Sequence, residues 1–202
     1  SNAGHKDRAR EVLEQALAQQ PDNVDVLYDL AAVDVELNQQ EKALELLAKS
    51  AKLAPERADI QRLVAHTSAD LGYFGDSIQA WNRYLKLVPN DDVARREHAF
   101  AETALGENMQ AGMTDLESFV HKHPNDAVGH YELAIAKSPT DRDLALKELD
   151  RALTLNPDLA AARMARGVLR YRQGDAAAAL PDFEFAARCE PQNPNVLDRL
   201  GE

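Results

Sequence analysis

An all-α fold of stacked antiparallel helix pairs is what this sequence predicts, and three observations carry that expectation. The chain of 202 residues holds only 9 glycines and 9 prolines, while Ala, Leu, Glu, Gln, Lys and Arg, the residues that lose least on entering a helix, dominate. Pro21, Pro55, Pro89, Pro124, Pro157 and Pro191 follow one another at spacings of 34, 34, 35, 33 and 34 residues, the self-similarity of a repeat architecture. Each period also carries a small residue twelve positions before its proline (Ala9, Ala43, Ser77, Gly112, Ala145, Ala179) and a large apolar one eight before it (Leu13, Leu47, Trp81, Leu116, Leu149, Phe183). A small residue recurring opposite a large one is what two closely crossing helices need.

Each period reads as two helices around one turn. Seventeen residues before the proline stand Gly4, Asn38, Gly72 and Gly174, types that take the left-handed conformation in which helices end. The proline closes the second helix, because it lacks an amide hydrogen and restricts the residue before it. On this reading residues 1–3 are a tag remnant and 4–22 the second helix of a truncated repeat. Full repeats follow at 23–56, 57–90, 91–125, 126–158 and 159–192, and 193–202 starts another truncated one.

The first helices carry a matching small residue, in Leu27-x-x-Leu30-Ala31, Val64-Ala65, His98-Ala99, Leu133-Ala134, Arg166-Gly167 and Leu197-x-x-Leu200-Gly201. One insertion falls between Gly106 and Gly112, and one deletion, with Pro139, between Ala134 and Ala145. Both lie near the turn inside a repeat, where length changes are tolerated. Pro181 lies inside a second helix, where it removes one backbone bond and predicts a kink on the outer face.

These landmarks resemble the tetratricopeptide repeat, most fully in Arg166-Gly167, Gly174-Asp175, Ala179, Phe183, Ala186 and Pro191, and the resemblance covers residues 4 to 202. It implies a right-handed α-solenoid of about five repeats plus partial helices at both ends, a superhelix whose first helices line a concave groove. It also implies a scaffold that binds a protein or peptide segment there. Mapping the family's binding positions gives Tyr28, Arg62, His66, Arg96, Phe100, Tyr131, Ile135, Met164, Val168 and Tyr171. Asp25 and Asp29 add acid at one end, and Arg163, Arg166, Arg170 and Arg172 add base at the other, a polarity that would orient a bound segment. The competing reading has some of these residues packing between repeats and the arginines serving solubility. Two other roles are a substrate-positioning accessory domain of a larger enzyme and a structural spacer in an envelope or secretion assembly.

Some family members clamp a C-terminal carboxylate with Lys, Asn and Arg. In the best register this chain offers Arg62 and His66, then Glu97, then Val128 and Glu132, and both glutamates would repel a carboxylate. At either end Val12, Leu13 and Leu17, or Leu197 and Leu200, would lack apolar neighbours, so self-association through uncapped ends is expected.

A formal net charge of −11 disfavours nucleic acid and anionic lipid as partners, and no apolar run approaches a membrane span. The single cysteine, Cys189, excludes an intrachain disulfide and reads as a half-buried packing residue. His121 and His123 close a helix and point to different faces, with His130 nearby, so structural or solvated roles are expected rather than metal ligation. Asp91-Asp92 reads as a helix cap. No phosphate loop, nucleophile motif or HExxH occurs, so no catalytic, cofactor or metal residues are assigned and no enzyme active site is expected.

Overall fold

The computed structural model describes residues 2–106 and 108–189, and side chains from Gly4 onward. These residues form eleven helices and no strand: α1 (Asn2–Gln19), α2 (Val24–Glu36), α3 (Gln40–Leu53), α4 (Ala58–Asp70), α5 (Phe74–Leu87), α6 (Asp92–Leu105), α7 (Met109–Lys122), α8 (Ala127–Lys137), α9 (Arg142–Leu155), α10 (Ala160–Arg172) and α11 (Ala176–Cys189). They fall into two compact units that meet in sequence at Leu105 and Gly106, at the start of the segment that carries the one-residue insertion.

Helix ends follow the chemistry of their sequences. Asn38 (φ 56°), Gly72 (φ 77°) and Gly174 (φ 86°) are left-handed. The amide after each reaches back over the turn, Gln39 to the Asp34 carbonyl, Tyr73 to Ser68 and Asp175 to Arg170, at 2.8, 2.8 and 3.0 Å, closing the helix in a Schellman-type cap. Gly4 departs from expectation: it lies within α1, where glycine adopts helical backbone as readily as left-handed. The residue before each proline (Ala54, Val88, His123, Asn156) has left the helix, with φ between −138° and −121°, as the proline ring requires. Starts are capped by Asn23, Asp91, Asp126, Asp141 and Asp175, whose side-chain oxygens accept amide hydrogens of the first turn.

Within the first unit α2 packs on α3 and α4 on α5, and α1, α3 and α5 each also pack on the first helix of the next repeat. Its cores join Ala31, Ala43, Leu47 and Ile60, and Ala65, Ala80, Trp81, Tyr84 and Ala94. In the second unit α8 packs on α9 and α10 on α11 around Ala134, Ala145, Leu149, Ala152, Leu153, Ala162 and Leu169. The small residues of the first helices are the tightest points: Ala31, Ala65, Ala99 and Ala134 are 0% exposed. At Gly167 the approach is closer still, because a Cβ there would lie 2.7 Å from the Phe183 ring.

The small-and-large pattern holds in α3, α5, α7, α9 and α11, where all ten residues are buried, and fails only in α1. There Ala9 and Val12 are exposed and Leu13 half-buried. α11 continues through Pro181, which faces solvent. Cys189 ends α11 exposed rather than half-buried, having run past the last buried position, Ala186. Leu197, Leu200 and Gly201 lie outside the described residues.

Candidate interaction surface

In the first unit the expected binding positions come from α2, α4 and α6. Tyr28 is half-buried on α2, with the Arg57 guanidinium 5.6 Å from its ring centroid. Arg57 holds Asp59 and Asp25 in ion pairs. That pairing pulls the Asp59 carboxyl below its usual range and raises the guanidinium's own affinity for its proton, so Asp25 is not a free acid at this end. Arg62 and His66, one turn apart on α4, are exposed.

The His66 ring stands edge-on to Trp81 at 5.0 Å between centroids, and its Nδ1 lies 3.0 Å from the Glu97 carboxylate on α6. That pair brings two first helices together at one surface point. Phe100, nearly one turn beyond Glu97, is half-buried.

Arg96 is a correction to the expected surface. It is 7% exposed, and its Nη2 lies 3.1 Å from Glu97 Oε1. Its position on α6 turns inward, so it supports Glu97 rather than meeting solvent.

In the second unit Tyr131 and Ile135 on α8, and Met164, Val168 and Tyr171 on α10, are all half-buried. Tyr131 packs against the core around Ala134 and Leu149, and burial, then the nearby charge of Glu132, pushes its hydroxyl pKa up. Tyr171 meets Phe183 at 6.5 Å between centroids.

The basic end reads differently in three dimensions. Arg166 donates from Nε and Nη2 to both oxygens of Asp182 at 2.8 and 2.7 Å, and from Nη1 to Asp150 at 2.7 Å. Arg170 reaches Asp182 at 3.1 Å, and Arg163 lies 3.6 Å from it. Asp182 is 1% exposed. The hydrogen bond to Asp182 raises the Arg166 pKa, burial opposes it and Asp150 adds to it. Three of the four arginines are thus turned toward an internal acid, neither projecting as a basic groove nor standing free for solubility.

Asp182 itself was not visible as a partner, since a lone acid on a second helix resembles any solvated charge. A second feature is written in the repeat register itself. Six residues after four successive prolines stand Gln61, Arg95, His130 and Arg163, and each directs a side-chain nitrogen at that proline's carbonyl. His130 is buried and also meets Glu148 at 2.6 Å through Nδ1, while His123 caps α7 with its ring 4.6 Å from Phe119. His121, two residues earlier, is exposed.

The tetratricopeptide repeat pattern matches residues 3–66 and again 133–198. The chain belongs to the tetratricopeptide repeat family. A repeat protein from Parabacteroides merdae superposes on 99% of this chain and 78% of its own with a TM-score of 0.86, at 19% identity. YrrB, described as a tetratricopeptide protein with an unusual peptide-binding site, covers 96% of this chain and 100% of its own at a TM-score of 0.57 and 15% identity. Protein FlbA of Caulobacter vibrioides is 29% identical over 152 residues, 75% of this chain; the match spans 22% of FlbA. The solved structures share the tetratricopeptide fold with this chain, and the family at large mediates protein–protein interactions. No helix among the described residues is long and apolar enough to cross a membrane.

Proposed function

We infer that this tetratricopeptide protein is a protein-interaction scaffold that binds a peptide segment on the face of its first helices. The observation that carries this reading is the surface cluster Arg62, His66, Glu97 and Phe100. An exposed cation and an imidazole, a carboxylate within reach of the imidazole and a partly open aromatic ring come from adjacent first helices of one unit. Aromatic and cationic groups of this kind supply most of the energy at protein interfaces. The peptide-binding role described for YrrB supports the same reading by analogy of fold.

Glu97 sets the chemistry of that partner. With its carboxylate beside His66, the cluster favours a segment bearing a donor or a positive group and repels a terminal carboxylate. The test is an affinity comparison between the native chain and an Arg62→Ser, His66→Ser, Phe100→Ala variant of unchanged helicity, using a partner isolated on the native chain. Loss of binding by the variant supports the reading, and equal binding overturns it.

A further inference from the structure

The second-helix side of the first unit carries a pair of clefts that repeat with the sequence. One, of ≈ 490 Å³, is lined from α1, α2 and α3 and includes Arg10, Pro21, Leu30 and Asp34. The other, of ≈ 650 Å³, is lined from α3, α4 and α5, and there Leu44, Pro55, Val64 and Ser68 occupy the corresponding positions, 34 residues on. The two differ in how their polar groups are satisfied. In the first, Arg10 closes on Asp34 at 2.7 Å and on Glu14 at 2.9 Å, so those three charges are spent on one another.

In the second, Gln61 forms part of the wall and is 1% exposed. Its Nε2 donates to the Pro55 carbonyl at 3.4 Å, but its Oε1 has no hydrogen-bond partner among the described residues. The position 34 residues earlier is Leu27, apolar and also 1% exposed, so the fold does not demand an amide there. A buried acceptor left unpaired is a net cost to the folded chain.

A neighbouring position is altered as well. In the second unit, the side chain six after a proline meets a carboxylate nine before the next: His130 with Glu148 at 2.6 Å, and Arg163 with Asp182 at 3.6 Å. Beside Gln61 that place is Ala80, which lines the cleft. The rim carries Lys52 and Arg83 against a single carboxylate, Asp76, and neither cation forms an ion pair among the described residues. Local cationic excess in a chain of net charge −11 sets this cleft apart from its neighbour.

We propose that the cleft between α3, α4 and α5 is a second binding site, which takes an acidic, aliphatic peptide segment of a partner protein. A backbone amide of the segment donates to Gln61 Oε1. An aliphatic side chain packs on Leu44, Ala48, Val64 and Ala80, and an Asp or Glu side chain supplies Lys52 and Arg83 with the carboxylate that Ala80 does not. The site is independent of the first-helix cluster, since Gln61 and Ser68 line it from the side of α4 opposite the exposed Arg62 and His66.

The test uses an array of short capped peptides in which each aliphatic residue is paired with Asp or Glu at every near spacing, probed with the full chain. Members of the array are expected to bind the native chain and to bind Gln61→Leu about tenfold more weakly, the loss of one hydrogen bond to a buried group. Gln61→Leu is expected to melt no lower than the native chain, because leucine is the residue of the sister cleft. Lys52→Glu with Arg83→Glu, both at exposed positions, is expected to weaken the same peptides with no change in folding. Arg62→Ser with His66→Ser is expected to leave them bound, which separates this site from the first-helix reading. An array with no member that binds the native chain better than both cleft variants overturns the proposal.

Discussion

Gly167 and Phe183 show how one side chain sets what another position tolerates. With a Cβ placed 2.7 Å from the Phe183 ring, Gly167→Ala forces that ring out of its site, and a loss of about 1–3 kcal/mol is expected from denaturant titration. Other repeats pair alanine with leucine at these places, as in Ala31 with Leu47 and Ala134 with Leu149. Phe183→Leu is therefore expected to recover part of the loss in the Gly167→Ala background, read as a coupling in a double-mutant cycle.

Asp182 carries a different kind of weight. Its removal in Asp182→Ala leaves Arg163, Arg166 and Arg170 facing a site without its acid, and a loss of about 3 kcal/mol is expected. A smaller loss is expected for Asp182→Asn, which keeps acceptor geometry. Equal melting temperatures for native and Asp182→Ala chains would show that the arginines find other partners. This arrangement is not legible in the sequence: four arginines without an intervening acid on α10 read as a charged face. Their acid comes from the neighbouring helix, a relation that periodicity does not encode.

At the scale of helices, the termini were the most legible part of the chain. Proline fixes its own φ, and glycine or asparagine tolerates the left-handed conformation in which a helix ends, as Asn38, Gly72 and Gly174 do. Gly72→Ala is expected to cost about 1 kcal/mol, the strain of a Cβ at φ 77°, while Gly4→Ala within α1 is expected to stabilise slightly. Gly4 has the spacing of a turn glycine yet lies in a helix, because spacing alone does not force glycine out of helical backbone.

The start of α6 adds a pH dependence. Burial opposes ionisation of Asp91, but the Ala94 amide, the Tyr84 hydroxyl at 2.8 Å and the attraction of Arg62 outweigh it, so its carboxyl lies below its usual range. A carboxyl held low in the folded chain contributes stability that is fully present above the unfolded value near pH 4 and is lost as pH falls through the folded one. Asp91→Asn is therefore expected to lower the melting temperature at pH 7 and to make it less sensitive to acid below pH 4. Parallel melting curves across that range would contradict the cap's role.

For the molecule as a whole, the repeat was readable because the same packing problem is solved several times over. Each solution leaves the same small residue, large residue and proline in register. The binding surface was only partly readable, because exposure at a given register depends on partners that differ from repeat to repeat. Arg62 and His66 lie open on α4, while Arg96 at the matching place on α6 is buried behind Glu97. The cleft on the second-helix side is hard to read for a related reason: it lies where Gln61 stands at the register of Leu27 and Ala80 at the register of Glu148 and Asp182, and neither residue is conspicuous alone.

Binding of a protein segment to the first-helix face of this tetratricopeptide protein is tested by hydrogen exchange on the native chain with and without its isolated partner. Protection is expected on α4 and α6 around His66 and Phe100. It is expected to disappear in the Arg62→Ser, His66→Ser, Phe100→Ala variant and to persist in Gln61→Leu. Protection confined to α3 and α5, or unchanged in the triple variant, would rule out binding at this face.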